Sequence, residues 1–166
     1  MKRNILVTVA AAALAFAPAA FGDDSTVSVA VGPEATFTAL NATTTMSKGN
    51  TTFGNFGGTS SFTYKIRTTA SGGTGSITVA LTVFSTGGPA LTDLAYTCTS
   101  PTSGTPCSGS TAITGAATPT SVVSFGEDAH SGDSGDSGTA VWSLIDRPSI
   151  VTGTYTATAT FTISAT

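Results

Sequence analysis

The chain has 166 residues, of which only 9% are charged, and its formal net charge is −3. Thr, Ser and Gly together occupy 73 positions, while 40% of the residues are hydrophobic. All three are poor helix residues and Thr is a good strand residue, so the composition argues against a helical bundle. Six basic residues leave no basic patch for nucleic acid, and one His with two Cys argues against most enzymes. We therefore expect a β protein that is not an enzyme.

Residues 1–22 have the pattern of a secretory signal peptide. A basic pair precedes an apolar run at residues 5–17, and small residues stand before Asp23. The run is shorter than the roughly 20 apolar residues that a membrane-spanning helix needs. We predict cleavage before Asp23 and export of a mature chain, residues 23–166, to the periplasm, the cell surface or the medium. The mature chain is expected to form one domain without a transmembrane segment.

The two cysteines, Cys98 and Cys107, lie close together in the mature chain. Export permits a disulfide, and the intervening Pro and Gly residues suit a loop that is closed at its ends. The spacing matches neither a CxxC motif nor a zinc knuckle. We predict a disulfide between them, with two free thiols as the alternative.

Alternation of apolar and polar residues with a period of two dominates residues 23–166, and this is the pattern of half-buried strands. The clearest case is residues 155–163, where Tyr, Ala, Phe and Ile alternate with Thr. The candidate at residues 137–145 carries apolar residues on both sides, so we expect both its faces to be buried. The other candidates are residues 61–69 and 75–84, and more weakly 26–31, 35–41, 93–99 and 121–125.

Gly and Pro punctuate these segments and predict the turns between them. The turn signals are residues 32–33, 48–50, 57–58, 72–73, 87–89 and 132–138. About eight short strands with Gly/Pro turns favour an all-β fold, and we predict an antiparallel Ig-like β-sandwich.

The last 14 residues carry a resemblance to known families. Residues 153–166, with Gly153, Tyr155 and Ile163, resemble the closing strand of bacterial spore-coat-U-like secreted proteins and related pilin-like domains. Residues 52–56 are similar to a strand containing Phe-Gly near the start of those domains. The resemblance implies an exported β-sandwich that is assembled on the surface through strand exchange of the chaperone–usher type.

Residues 126–138 form the most polar segment and hold four of the nine acidic residues of the mature chain. Carboxylates separated by flexible Gly and Ser can wrap a hard cation, so one interpretation is a calcium site. Its ligands would be Glu127, Asp128, Asp133 and Asp136. The spacing is not that of an EF-hand, and a solvated loop has the same composition. A glycan site on this loop is a further interpretation.

The same segment contains Gly-Asp-Ser-Gly, the sequence around the nucleophile of chymotrypsin-like proteases. That chemistry needs a His base oriented by a buried Asp. The only His, His130, stands four residues before Ser134, and Asp136 replaces the Gly that follows the protease motif. We therefore assign no catalytic residue and no cofactor other than the calcium of the loop interpretation.

The pattern as a whole favours an exported structural or adhesive protein, a subunit of a fibre or matrix that assembles through edge-strand pairing. Residues 23–31, which alternate valines and end at a Gly-Pro turn, are the segment that we expect to pair with a neighbour, either another copy or another surface protein. The alternative is an extracellular module that binds calcium or a glycan through residues 126–138.

Overall fold

A computed structural model describes residues 25–99 and 103–166. The predicted signal peptide, residues 1–22, lies outside the described residues. The compact unit comprises Val31–Thr166. Its strands are β1 (Glu34–Leu40), β2 (Ser47–Lys48), β3 (Phe56–Arg67), β4 (Gly75–Leu81), β5 (Leu94–Thr99), β6 (Thr105–Pro106), β7 (Thr111–Ala112), β8 (Thr120–Phe125), β9 (Asp136–Leu144) and β10 (Ala159–Ala165). A single 3-10 turn, Leu91–Asp93, precedes β5.

The strands form two antiparallel sheets that pack face to face, which confirms the predicted β-sandwich. The larger sheet has the order β1-β3-β9-β5-β7, with β2 also paired to β3, and the smaller has the order β10-β4-β8-β6. The described residues hold ten strands, against about eight expected, because β2, β6 and β7 are pairs of residues too short to show a period. Within the described residues no helix is long and apolar enough to cross a membrane.

The predicted alternation sorts side chains between the core and the surface. On β3, Phe62, Tyr64 and Ile66 are buried while Lys65 is exposed. The apolar residues at alternate positions of β4 are buried in the same way. A period of two places successive side chains on opposite faces of the sheet, so each strand contributes one row to the core.

Two expectations about individual strands are wrong. The pair Gly57–Gly58 is not a turn but lies within β3. A Cβ at Gly58 would stand 3.1 Å from the Cγ of Met46 and the carbonyl oxygen of Thr45, so the strand needs glycine where another chain segment approaches closely. β9 is buried on one face only: its residues alternate between buried and more exposed, and Val141 on the outer face is 37% exposed.

The segment at residues 26–31, which was also expected to form a strand, has no assigned strand structure, and its valines are exposed. The closing strand is assigned only from Ala159, but its pairing continues upstream. The Thr158 carbonyl accepts from the Thr82 amide and the Thr156 carbonyl accepts from the Ser85 amide, both at 2.9 Å. The whole alternating segment therefore runs along the same neighbour.

The disulfide between Cys98 and Cys107 is present and joins the two sheets. Cys98 lies on β5 of the larger sheet, and Cys107 follows β6 of the smaller one, where its amide donates to the Val122 carbonyl at 2.9 Å. One side of the sandwich is thus closed covalently.

Replacing both cysteines (Cys98→Ser with Cys107→Ser) is expected to lower the free energy of unfolding by about 2–3 kcal/mol, because the unfolded chain regains the entropy of a short closed loop. Denaturant unfolding of the oxidised protein and of the double variant measures the difference. Reduced wild-type protein is the control and should match the variant. Equal stability of the oxidised protein and the variant would contradict the prediction.

Candidate functional site: an open seam between the sheets

An open seam runs between β1 and β10, the edge strands of the two sheets on the side away from the disulfide. The side chains that these strands turn inward pack against the core but are only half-buried, whereas those of the central strands β3, β4 and β9 are almost all buried. The half-buried row consists of Ala35, Phe37, Ala159, Phe161, Ile163 and Ala165. The core therefore lacks part of its cover along this seam.

The backbone of β10 is free on the same side. At the two ends of β10, the Thr158 carbonyl accepts from the Thr82 amide and the Thr166 amide donates to the Thr74 carbonyl. Because alternate residues of an antiparallel pair point toward the partner, the even-numbered residues of β10 point their amides and carbonyls toward β4. The odd-numbered residues, such as Phe161 and Ile163, must then point theirs away from it. Within the described residues no strand pairs with this second edge. An added strand would find both hydrogen-bonding groups and apolar side chains there.

The opposite side of the sandwich is closed by polar contacts as well as by the disulfide. The hydroxyl of Tyr96 on β5 donates to the carbonyl oxygen of Ser121 on β8 at 2.8 Å, which links the two sheets. Burial raises the pKa of that hydroxyl. The hydroxyl of Tyr64 donates to the Ser103 carbonyl at 2.8 Å. On the β1–β10 side the Thr69 amide, after β3, donates to the Thr166 carbonyl at 3.0 Å. No disulfide joins β1 to β10 in the described part of the chain.

The N-terminal arm, residues 25–31, has the apolar pattern that the seam would accept. Val27 is 93% exposed, Val29 is 84% exposed and Val31 is 62% exposed. Downstream of the arm, the Arg67 guanidinium donates to the Gly32 carbonyl at 2.9 Å and to the Glu34 carboxylate at 3.0 Å. The first contact holds the Gly32 backbone, and Glu34 pairs with Arg67 at the start of β1. An X-Pro step already favours an extended chain at Gly32.

The structure separates the acidic residues of segment 126–138. The Glu127 carboxylate accepts from the Gly72 amide at 3.0 Å, whereas Asp136 opens β9 and accepts from the Ser103 hydroxyl. The Asp128 carbonyl contacts the His130 ring at 2.8 Å, and Asp133 lies in the exposed loop before β9. No three His, Cys, Asp or Glu side chains gather around one point in residues 25–99 and 103–166. The calcium and glycan interpretations stay predictions.

An ion pair that the sequence did not indicate, with a buried carboxylate and an exposed base, lies at one end of the sandwich. The Asp93 side chain, in the turn before β5, is 5% exposed, and Arg147 donates to both its oxygens, with the Nε bond at 2.7 Å. These residues are 54 positions apart, so no local pattern could have paired them. The hydrogen bonds from Arg147 hold the pKa of the Asp93 carboxyl below its usual value.

A deep end cleft of about 920 Å³ opens beside this ion pair, where β1 ends and β10 begins. It continues the seam, since Leu40, Ala159 and Phe161 line it, and it reaches Trp142 in the core. Lys48 and Arg147 stand in its wall. The sequence indicated Trp142 as an apolar residue of a strand, but not that a cleft would reach it.

Comparison with known proteins assigns no family: the chain has no significant similarity to any protein-family model, curated protein or solved structure.

Replacing Arg147 by Met is expected to destabilise the protein most near neutral pH, where Asp93 is ionised and would be left buried without its partner. Because the pKa of Asp93 is lowered in the folded protein, this carboxylate stabilises the fold above its unfolded pKa of about 3.9. That contribution is lost as the pH falls through the lower folded pKa. The stability gap between wild type and Arg147→Met should therefore narrow below about pH 4, as measured by denaturant midpoints across pH.

Lys65→Met is the control, because it removes the same charge from an exposed position on β3 and leaves Asp93 paired. A gap for Arg147→Met that stays constant from neutral pH to acid would contradict the assignment.

Proposed function

We propose that the mature chain is an exported structural subunit of the cell surface or extracellular matrix, and that it assembles by pairing a strand onto the open seam. The observation that carries this proposal is the coincidence of a free backbone edge on β10 with a row of half-buried apolar side chains on the same strand. Unpaired edges are the surfaces onto which proteins add strands from other chains.

The N-terminal arm of a second copy is the strand that fits the seam best. Its valines recur at every second position, so all three would face the core if the arm lay along β10. Burying a Val side chain contributes about 1.5–3 kcal/mol, and the added strand would also satisfy the free amides and carbonyls of β10.

Pairing between copies would place the arm of one subunit in the seam of the next, so the association could extend from subunit to subunit.

The export signal and the terminal resemblance are consistent with this role. The segment that resembles the closing strand of spore-coat-U-like and pilin-like proteins contains β10, the strand with the free edge. Export would also favour the disulfide between Cys98 and Cys107.

The mature protein, residues 23–166, is expected to associate with rising concentration, as measured by light scattering. A triple variant (Val27→Asp, Val29→Asp, Val31→Asp) should dissociate at least tenfold more readily, because charged side chains cannot enter the seam. A synthetic peptide of residues 23–33 should raise the melting temperature of a chain shortened to residues 32–166.

Val83→Asp is the matched control, since Val83 is 66% exposed outside the arm and its change should leave association intact. The proposal fails if the mature protein stays monomeric at every concentration and the peptide does not change the melting temperature.

A further inference from the structure

The innermost wall of the end cleft is apolar, whereas Thr and Ser residues line much of the rest. Its walls include Phe56 and Phe84, and its deepest part is formed by Leu81, Leu94 and Trp142. The Trp142 indole nitrogen already donates to the Ser60 hydroxyl at 2.8 Å. In the described residues no buried side-chain polar atom lacks a partner. A hydrocarbon tail therefore fits the innermost part of the cleft, since a polar group held against these apolar side chains would be desolvated without compensation.

The rim of the cleft is unusually apolar for a protein surface. Leu40 is 41% exposed, Phe53 is 56%, Ile145 is 42% and Val151 is 72%, and all four line the cleft. Phe53 has a φ of +55°, a conformation that non-glycine residues seldom adopt and that is concentrated at functional sites. Exposed apolar side chains that cluster in this way mark binding sites.

The mouth of the cleft carries two ion pairs in which the base is the more exposed partner. Lys48 pairs with Asp146 at 2.9 Å, but the lysine side chain is 39% exposed and the carboxylate 13%. Arg147 is 55% exposed while its partner Asp93 is 5% exposed. In both pairs the base lies outward and the acid lies inward, so an approaching ligand meets the cations first. This favours an anionic head group at the mouth.

We propose that the end cleft binds an anionic amphiphile, with a single alkyl chain in the apolar interior and a carboxylate beside Lys48 and Arg147. The volume of about 920 Å³ lies within the range of 300–1,000 Å³ that is usual for small-molecule sites. The ligand class follows from the apolar inner wall, the apolar rim and the two outward-facing cations at the mouth. This site does not depend on strand pairing, although it shares Ala159 and Phe161 with the seam.

Trp142, the only tryptophan of the chain, reports on the cleft by fluorescence. The probes are dodecanoate, dodecyltrimethylammonium and dodecyl maltoside, each below its micelle concentration, because they share a tail and differ in head-group charge. We expect saturable binding of dodecanoate, and binding of the cationic probe that is at least tenfold weaker. Each methylene removed from the tail of the carboxylate probe should weaken its binding by up to about fourfold.

Two substitutions at the mouth should act in opposite directions. Lys48→Gln is expected to weaken dodecanoate binding by about tenfold and to leave dodecyl maltoside binding unchanged. Asp146→Asn removes the opposing charge and should tighten dodecanoate binding several-fold, a gain that misfolding cannot produce. Lys65→Gln is the matched control, because it removes a charge far from the cleft wall.

The proposal is overturned if the three probes bind equally, if the Lys65→Gln control weakens binding as much as Lys48→Gln, or if no probe binds saturably. Co-sedimentation with phosphatidylglycerol vesicles without any binding of dodecanoate would also overturn it, since the ligand would then be a membrane surface.

Discussion

Mutual burial of one face of each sheet is the constraint on which the rest of the structure depends. Only 9% of the residues are charged, so the outward faces are made polar mainly by Thr and Ser. The inward faces bring Phe62, Tyr64 and Trp142 together in one core. Each sheet covers the inward face of the other, so side chains are most buried at the central strands and only half-buried on β1 and β10.

The two sides of the sandwich differ in how the edges of the two sheets are joined. On one side, the bond between Cys98 and Cys107 and the Tyr96 hydroxyl tie the sheets together. On the other side, β1 and β10 approach without a covalent or polar link of that kind in the described residues, and their inward side chains stay half-buried. The two sheets are thus joined directly on the closed side, and the strand pairing that we propose would complete the open side.

The end of the sandwich holds two ion pairs with the same orientation. Asp93 lies inside and Arg147 lies at the surface, an arrangement that satisfies a buried carboxylate and leaves a cation facing solvent. Lys48 and Asp146 repeat the arrangement nearby, with the Lys48 ammonium 5.4 Å from the centre of the Phe56 ring. Ion pairs oriented in this way turn their cations toward the mouth of the cleft, and each of the two carboxylates keeps its partner.

The local sequence pattern was sufficient to predict which side chains of an individual strand are buried. Alternation in β3 and β4 identified the buried row correctly, and the same rule located β10, because a period of two does not depend on what a strand packs against. The local sequence pattern gave a wrong prediction where pairing with another segment determines the structure. Gly57–Gly58 resembles a turn, but pairing with β2 and β9 makes it part of β3. Residues 26–31 alternate like a strand, but they pair with no other strand in the described residues.

The sequence by itself determined the fold class, the inward and outward residues of most strands, and the cysteine pair, since these depend on period, composition and proximity along the chain. Only the tertiary structure decided which strands became edges, that the disulfide joins the two sheets, and that Asp93 meets Arg147. It also decided that Lys48, Trp142 and Phe161 surround one cleft. These are contacts between residues far apart in sequence, and they are set by how two twisted sheets pack together and not by any local pattern.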